Sequence, residues 1–197
     1  IALCTTAMII NNYMFTEPAA IFAEPNSSVY SEILISTEDL NTRGISEIGL
    51  MEIDFKLVDH TTSEVVANPE MVEIRTSAYD TMTAKSEWDG TELYNDNDLQ
   101  ILLTDIVLTE TGASRVMLYI NNSSEKDVTL VGERMFVNGR LADTPICSTV
   151  LSGKMALVPV TITYANKQKL NIGDLLDTLE FSLIARDADT WDVLFET

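Results

Sequence analysis

The stretch that decides the fold is LEFSLIARDADTWDVLF, which runs from Leu179 to Phe195. Apolar residues at 179, 181 and 183 alternate with polar ones, and this period of two predicts a β-strand with one buried and one solvated face. An Asp-rich turn follows, and Trp191 resumes the alternation in phase with Val193 and Phe195. That phase predicts a Trp191 side chain packed in the core, and an exposed sugar-stacking surface with Trp88 is the alternative.

An earlier stretch has the same pattern. Ile53, Phe55 and Leu57 alternate with polar residues, and a polar turn then leads to Val65 and the apolar residue after it. Ile53 and Leu179 are 126 residues apart, and at this offset turns and short helices match as well as strands. The sequence therefore predicts an internal duplication, and two unrelated antiparallel segments with generic alternation are the alternative.

The charge balance narrows the range of partners. The 197 residues include 12 Lys and Arg against 31 Asp and Glu, a net charge of −19, so the clustered cations that nucleic acids or anionic membranes require are missing. A hydrophobic content of 46% is ample for folded cores. The apolar start, IALCTTAMII, is shorter than the ~20 residues of a membrane span, so it predicts a strand, with any export signal upstream of it.

The cysteines and the histidine offer little chemistry. Cys4 and Cys147 lack metal-site or redox spacing and lie in apolar, strand-like runs, which predicts buried free thiols; a long-range disulfide is the alternative. The single histidine, His60, follows Asp59 in a turn, so neither a catalytic triad nor a His/Cys zinc site is supported. The sequence predicts a protein that is not an enzyme.

Short strands at regular spacing predict an all-β fold of tandem immunoglobulin-like β-sandwich modules, each with one short helix before its late strands. The first module spans 1–77, a linker spans 78–93 and the second module spans 94–197. In the first module Ser36 is the expected helix cap and Gly44 the left-handed residue that ends the helix.

The second module has two further local signals. Asn138-Gly139 predicts a tight hairpin turn, because both residues tolerate the positive φ that such turns require. Residues 166–170 carry the expected second helix.

One acidic turn is a candidate metal site. Asp187, Asp189 and Asp192 lie close together in a turn, and carboxylates so placed can converge on Ca²⁺. Apart from this candidate, the sequence predicts no cofactor. The alternative is an acidic hairpin turn whose side chains accept hydrogen bonds from backbone amides. The acidic run at 95–98 has the same two interpretations.

The second module also carries a family resemblance. Its runs IxNxS, VNG and SGK, followed by a short helix and LEFSLIARDADTW, resemble a poorly characterised β-sandwich repeat of exported proteins and lipoproteins of Gram-positive, often gut-dwelling, bacteria. The resemblance implies an immunoglobulin-like fold and an extracellular location, with no enzymatic activity. The matching residues are Ile120, Asn122, Ser123, Val137, Asn138, Gly139, Ser152, Gly153, Lys154, Phe181, Asp187, Asp189, Thr190 and Trp191.

Residues 1–77 match the repeat only as a degraded copy, with Tyr13 in place of the glycine and Val65 in place of the tryptophan. At an offset of 126 this copy lacks the counterpart of 94–126. Both modules are therefore expected to have open strand edges, which proteins normally avoid. A fragment of a longer chain explains this, and strand donation between copies is the alternative.

The function predicted from the sequence is a non-enzymatic extracellular spacer or binding module of a bacterial surface protein or lipoprotein. Its partner is expected to be a protein or a cell-wall glycan. A surface filament or adhesin subunit that self-associates through open strand edges is the first alternative. A carbohydrate-binding accessory module is the second.

Overall fold

A computed structural model describes the chain over residues 1–15, 20–24, 26–96, 98–142, 146–173 and 176–196. With 51% of its residues in strands and 9% in helices, the chain is all-β. It divides into two compact units, Ile1–Ser86 and Glu87–Thr197. The division falls within the segment 78–93 that the sequence singled out.

The first unit is built on a sheet with β1 and β4 at its centre. β1 pairs antiparallel with β2, β3 and β4, and β4 also pairs with β5 and β6. A short 3-10 helix, Tyr79–Thr81, follows the last strand. The bounds are β1 (Ala2–Ile10), β2 (Tyr13–Phe15), β3 (Ala20–Phe22), α1 (Thr37–Thr42), β4 (Leu50–Val58), β5 (Val65–Ala67) and β6 (Val72–Arg75).

The second unit contains strands of two sheets. One has the order β13-β9-β8-β7; the other has the order β11-β10-β14-β15, with β12 also paired to β10. The bounds are β7 (Thr91–Asn95), β8 (Leu99–Leu108), β9 (Ser114–Asn122), β10 (Val128–Val137), β11 (Arg140–Ala142), β12 (Ile146–Val150), β13 (Lys154–Ile162), α2 (Tyr164–Leu170), β14 (Leu179–Asp187) and β15 (Val193–Glu196).

Both helices begin and end as local sequence rules require. The Ser36 hydroxyl caps α1 by accepting from the Asp39 amide, and the Thr163 hydroxyl caps α2 in the same way. After each helix comes a residue with positive φ, Gly44 (66°) and Asn171 (51°). Glycine and asparagine tolerate this conformation, so each helix stops there. The predicted limits of the first helix are confirmed.

The two units share one plan of strands. β1, with partners β2, β3 and β4, corresponds to β10, with partners β11, β12 and β14. The bulge in β1 lies between Thr5 and Ala7, and the bulge in β10 lies between Gly132 and Met135, the equivalent place. Each hairpin turns through two residues with positive φ, at 11–12 in the first unit and at 138–139 in the second. The hairpin predicted at Asn138-Gly139 is confirmed.

The predicted offset of 126 residues is wrong by one or two. Met8 pairs with Ile53 as Met135 pairs with Phe181, so the offset is 127 between β1 and β10 and 128 between β4 and β14. Phe55 is therefore equivalent to Leu183 rather than to Phe181. Alternation repeats every two residues, so a register displaced by two matches the apolar pattern equally well.

The cysteines depart from expectation in their burial. Both are free thiols, but Cys4 is half-buried and Cys147 is exposed. Cys147 lies on β12, which pairs with β10 and points alternate side chains outward, so a strand position alone did not ensure burial.

A buried asparagine joins the β1–β2 hairpin to the start of β4. The side-chain oxygen of Asn11 accepts from the amides of Gly49 (2.9 Å) and Leu50 (3.1 Å). Its side-chain nitrogen donates to the carbonyls of Glu47 (2.8 Å) and Thr83 (3.2 Å). The Asn138 oxygen accepts from two successive amides, at 177 and 178, in the same position of the second unit. We call this arrangement the asparagine clasp.

The clasp of the first unit predicts a large effect of mutation. Asn11→Ala leaves two buried amides without acceptors and places alanine at positive φ, so we expect a loss of about 3 kcal/mol in the free energy of unfolding. Asn138→Ala serves as the matched control, because Asn138 also has a positive φ but its bonds from the amides at 177 and 178 are exposed to solvent, and we expect a loss of about 1 kcal/mol. Urea unfolding of both variants measures the difference, and equal losses would contradict a special role of burial at Asn11.

Candidate functional site

The acidic turn predicted at 187–192 is closed by Asp187. One carboxylate oxygen of Asp187 accepts from the amides of Asp189 and Thr190, both at 3.0 Å. The backbone amide of Asp187 donates to the carbonyl of Asp192, and the amide of Trp191 donates to the carbonyl of Asp187. The Asp192 carboxylate accepts from the Thr190 hydroxyl at 3.0 Å. These bonds form the hydrogen-bonded acidic turn that was the alternative to a metal site.

The second carboxylate oxygen of Asp187 is held by Lys126, whose Nζ lies 2.7 Å away. This hydrogen bond, together with those from the Thr190 and Asp189 amides, lowers the pKa of Asp187 to about 2. The carboxylate is therefore ionised at neutral pH and engaged on both oxygens. Both oxygens therefore hold the turn together.

The first unit contains the same turn. The carboxylate of Asp59 accepts from the amides of Thr61 (2.8 Å) and Thr62 (3.1 Å), and these bonds lower its pKa. Ser63 has a φ of 61° and donates its amide to the carbonyl of Asp59, as Trp191 does to Asp187 with a φ of 65°. The turn itself therefore needs only a small residue at its fifth position. Trp191 corresponds to Ser63, not to Val65 as the sequence suggested.

The prediction that Trp191 packs in the core is wrong. Its side chain is 53% exposed, because the positive φ at this residue interrupts the alternation of β14 and β15. A left-handed backbone conformation is energetically unfavourable for a residue with a bulky side chain. Tryptophan at this position therefore does not stabilise the turn. A bulky residue held in such a conformation is a reason to suspect function.

Arg186 orients the exposed indole. Its guanidinium carbon lies 5.6 Å from the centre of the Trp191 ring, and its Nη1 donates to the Trp191 carbonyl at 3.0 Å. A cation over the ring contributes about 0.5–1 kcal/mol at an exposed site. We call Trp191, with Arg186 beside it and the exposed acids Asp189 and Asp192, the tryptophan platform. The sequence pattern missed Arg186, because only the turn geometry brings it to the indole.

The described residues contain no group of three or more His, Cys, Asp or Glu side chains arranged to hold a metal ion. Ca²⁺ binding at Asp187, Asp189 and Asp192 stays an untested prediction. In the acidic run at 95–98, the Asp96 carboxylate accepts hydrogen bonds from the backbone amides of Asp98 and Leu99, which close a turn. It also accepts one from the Tyr94 hydroxyl. Asn97 lies outside the described residues.

The remaining candidate side chains contact other parts of their own unit. Trp88 is half-buried and stacks on Tyr119, with ring centres 5.7 Å apart. His60 is exposed in its turn, as predicted, with its ring edge-on to Phe22. The Asn122 side chain is buried and donates to the carbonyls of Lys126 and Val150. The platform is therefore the best candidate for a contact surface.

The depressed pKa of Asp187 predicts a pH dependence. Folding lowers the pKa from 3.8 to about 2, so the stabilisation is complete above pH 4 and is lost as the pH falls through 2. Asp187→Asn keeps an oxygen for the two amides but removes the charge, so we expect a flatter stability curve between pH 4 and 2. Urea unfolding across pH 2–5 measures it. Asp189→Asn is the control and should keep the wild-type slope; an unchanged slope in Asp187→Asn would contradict the assignment.

Removing the platform tryptophan should hardly affect folding. Trp191→Gly relieves about 1–2 kcal/mol of left-handed strain and loses about 0.5–1 kcal/mol of cation–π attraction. We therefore expect a free energy of unfolding within about 1 kcal/mol of the wild type. Phe195→Ala removes a buried ring and should cost about 3 kcal/mol. Thermal unfolding compares the two, and a similar cost for both would show that Trp191 is a core residue after all.

No helix in the described part of the chain is long and apolar enough to cross a membrane. Comparisons with protein-family models, with curated proteins and with solved structures found no match to this chain. The function is therefore argued from the chain's own side chains.

Proposed function

We propose that the chain is a non-enzymatic, extracellular binding module of a bacterial surface protein or lipoprotein, built from two tandem immunoglobulin-like β-sandwich modules. The second unit supports the fold, because its strands form two antiparallel sheets with buried apolar faces. The resemblance of 94–197 to exported bacterial repeats supports the location.

The single observation that carries a binding role is Trp191. It replaces the serine of the equivalent turn, accepts a positive φ and remains more than half exposed. Its ring is preorganised by Arg186, so little side-chain freedom is lost on binding. Exposed tryptophan and arginine side chains are the residues that most often dominate binding energy.

The ligand class that fits the platform best is a neutral glycan. The apolar face of a sugar ring stacks on an indole, while the exposed carboxylates of Asp189 and Asp192 accept hydrogen bonds from its hydroxyl groups. The net charge of −19 repels anionic polymers, so an uncharged chain is favoured over an acidic one. A glycan of the cell wall or of the surroundings is the proposed partner.

A glycan array with the full chain tests this function. We expect binding to neutral glycans, and we expect Trp191→Ser, which copies the turn of the first unit, to weaken it at least tenfold because a hot-spot tryptophan contributes about 2 kcal/mol or more. Trp88→Phe keeps an aromatic ring on Tyr119 and is the matched control that should bind like the wild type.

Two results would overturn the proposal: no neutral glycan bound by the wild type, or equal binding by the wild type and Trp191→Ser. Preference for acidic glycans would overturn the ligand class, since it contradicts the charge argument.

A further inference from the structure

The tryptophan platform lies on one face of the sheet that contains β15, β14, β10 and β12. Arg186 alternates along β14 with Ala185 and Asp187, both of which are buried, so its side chain projects from the opposite face of the strand. The Trp191 ring lies beside the Arg186 guanidinium and therefore at the end of that same face. We call the face from which Arg186 projects the outer face.

A row of four side chains crosses the outer face from β15 to β12. Arg186 pairs with Val193 of β15 on one side and with Thr129 of β10 on the other. Thr129 in turn pairs with Thr149 of β12. Side chains of residues that pair directly across antiparallel strands lie on the same face of the sheet. Because neighbouring strands are about 4.8 Å apart, the row extends about 10 Å beyond Arg186, away from the indole. We call these four side chains the outer row.

The two threonines of the outer row form a hydroxyl pair. Thr129 Oγ1 and Thr149 Oγ1 lie 2.9 Å apart, within hydrogen-bond distance. A threonine hydroxyl has a hydrogen to donate and lone pairs to accept with, and the shared bond uses the hydrogen of only one partner. The pair therefore keeps a donor hydrogen and acceptor lone pairs that a ligand can use. Thr149 is exposed to solvent, so a ligand on the outer face can reach them.

The charge of the outer row differs from that of the chain as a whole. The chain has a net charge of −19, but the row contains no carboxylate. Its one cation, Arg186, donates to the Trp191 carbonyl and lies against the indole. An uncharged ligand that is rich in hydroxyl groups therefore fits the row better than an ionic ligand does.

The first unit has an apolar row at the equivalent place. Its side chains, paired in the same order on β5, β4, β1 and β3, are Val65, Val58, Ala2 and Phe22. None of these side chains has a hydroxyl group. The turn beside this row has Ser63 where the second unit has Trp191. Hydroxyl groups in the row and a tryptophan in the turn thus occur together in the second unit, and neither occurs at the equivalent positions of the first. The shared plan of strands does not require this association, but a ligand that contacts both features explains it.

We propose that the tryptophan platform and the outer row form one continuous site for a neutral oligosaccharide rather than for a single sugar. One sugar ring stacks on Trp191, and the chain continues across the strands until a later sugar exchanges hydrogen bonds with the Thr129–Thr149 hydroxyl pair. A single sugar cannot contact both, because the row extends about 10 Å beyond Arg186. The inference rests on the proposed glycan-binding function and adds a length requirement and a second contact point to it.

Neutral sugars in homologous series test the length requirement. The probes are oligomers of glucose, mannose, galactose and N-acetylglucosamine, each from the monosaccharide to the tetrasaccharide, screened on an array with the full chain. The series that binds is then titrated by NMR, which measures weak as well as tight binding. We expect the tetrasaccharide to bind at least about fivefold more tightly than the monosaccharide, because it forms at least one further neutral hydrogen bond.

Substitutions of Thr149 test the second contact point. Thr149→Val removes an exposed hydroxyl and keeps a branched side chain that suits a strand, so the variant should fold. It should weaken binding of the tetrasaccharide about fivefold, which corresponds to one neutral hydrogen bond, and leave binding of the monosaccharide unchanged. Thr149→Ser keeps a hydroxyl group and should bind the tetrasaccharide within about twofold of the wild type. Thr91→Val is the matched control, because Thr91 is an exposed threonine on β7 of the other sheet, and it should bind every length as the wild type does.

Failure of this inference can be told apart from failure of the proposed function. If the wild type binds the monosaccharide as tightly as the tetrasaccharide, or if Thr149→Val changes the affinity for both to the same extent or for neither, the outer row is not part of the site and glycan binding at Trp191 stands. If the wild type binds no neutral sugar of any length, or if Trp191→Ser binds all of them as the wild type does, the proposed function and the inference both fall.

Discussion

The carboxamide of Asn11 is the interaction on which the first unit depends. It is buried, and it hydrogen-bonds to two separate stretches of backbone, one at Glu47, Gly49 and Leu50 and the other at Thr83. Buried amides need partners, and the alternative of leaving them unpaired is costly. One short side chain thus fixes the hairpin, the start of the central strand β4 and the segment that closes the unit. The second unit repeats this solution at Asn138, whose side-chain oxygen accepts from the amides of Asp177 and Thr178.

The two units share a plan of strands, and comparing them shows which features of that plan are alike and which differ. Hydrogen-bonded turns, helix caps and the bulge of the central strand occur at equivalent places, and the turns and caps pair backbone groups that would otherwise lack partners. Residues that project from those turns differ freely, as Ser63 and Trp191 do. We therefore expect binding residues among the side chains that project from the turns, because binding residues often lie on loops that a rigid sheet holds in place.

The sequence predicted the local structure well where the signal was chemical. Ser36, Gly44 and Asn138-Gly139 act at a helix start, a helix end and a hairpin because their side chains, or the lack of one, favour those backbone conformations. It failed where the signal was only alternation. Trp191 alternates in phase with Val193 in the sequence, but its positive φ between two strands breaks that phase. The offset between the two units was misjudged because alternation repeats every two residues and does not fix the strand register.

The sequence by itself determined the all-β class, the limits of the first helix, the Asn138-Gly139 hairpin and the acidic composition, because each depends on short-range preferences or on composition. The second helix begins at Tyr164, two residues before its predicted start. Only the three-dimensional structure decided that Trp191 is exposed beside Arg186 and that, among the described residues, no strand is paired with the segment 27–35. The first depends on the backbone geometry of a single turn, and the second depends on which strand comes to lie next to a segment. An alternating pattern indicates that one face of a strand is buried, but it does not indicate which other strand packs on that face.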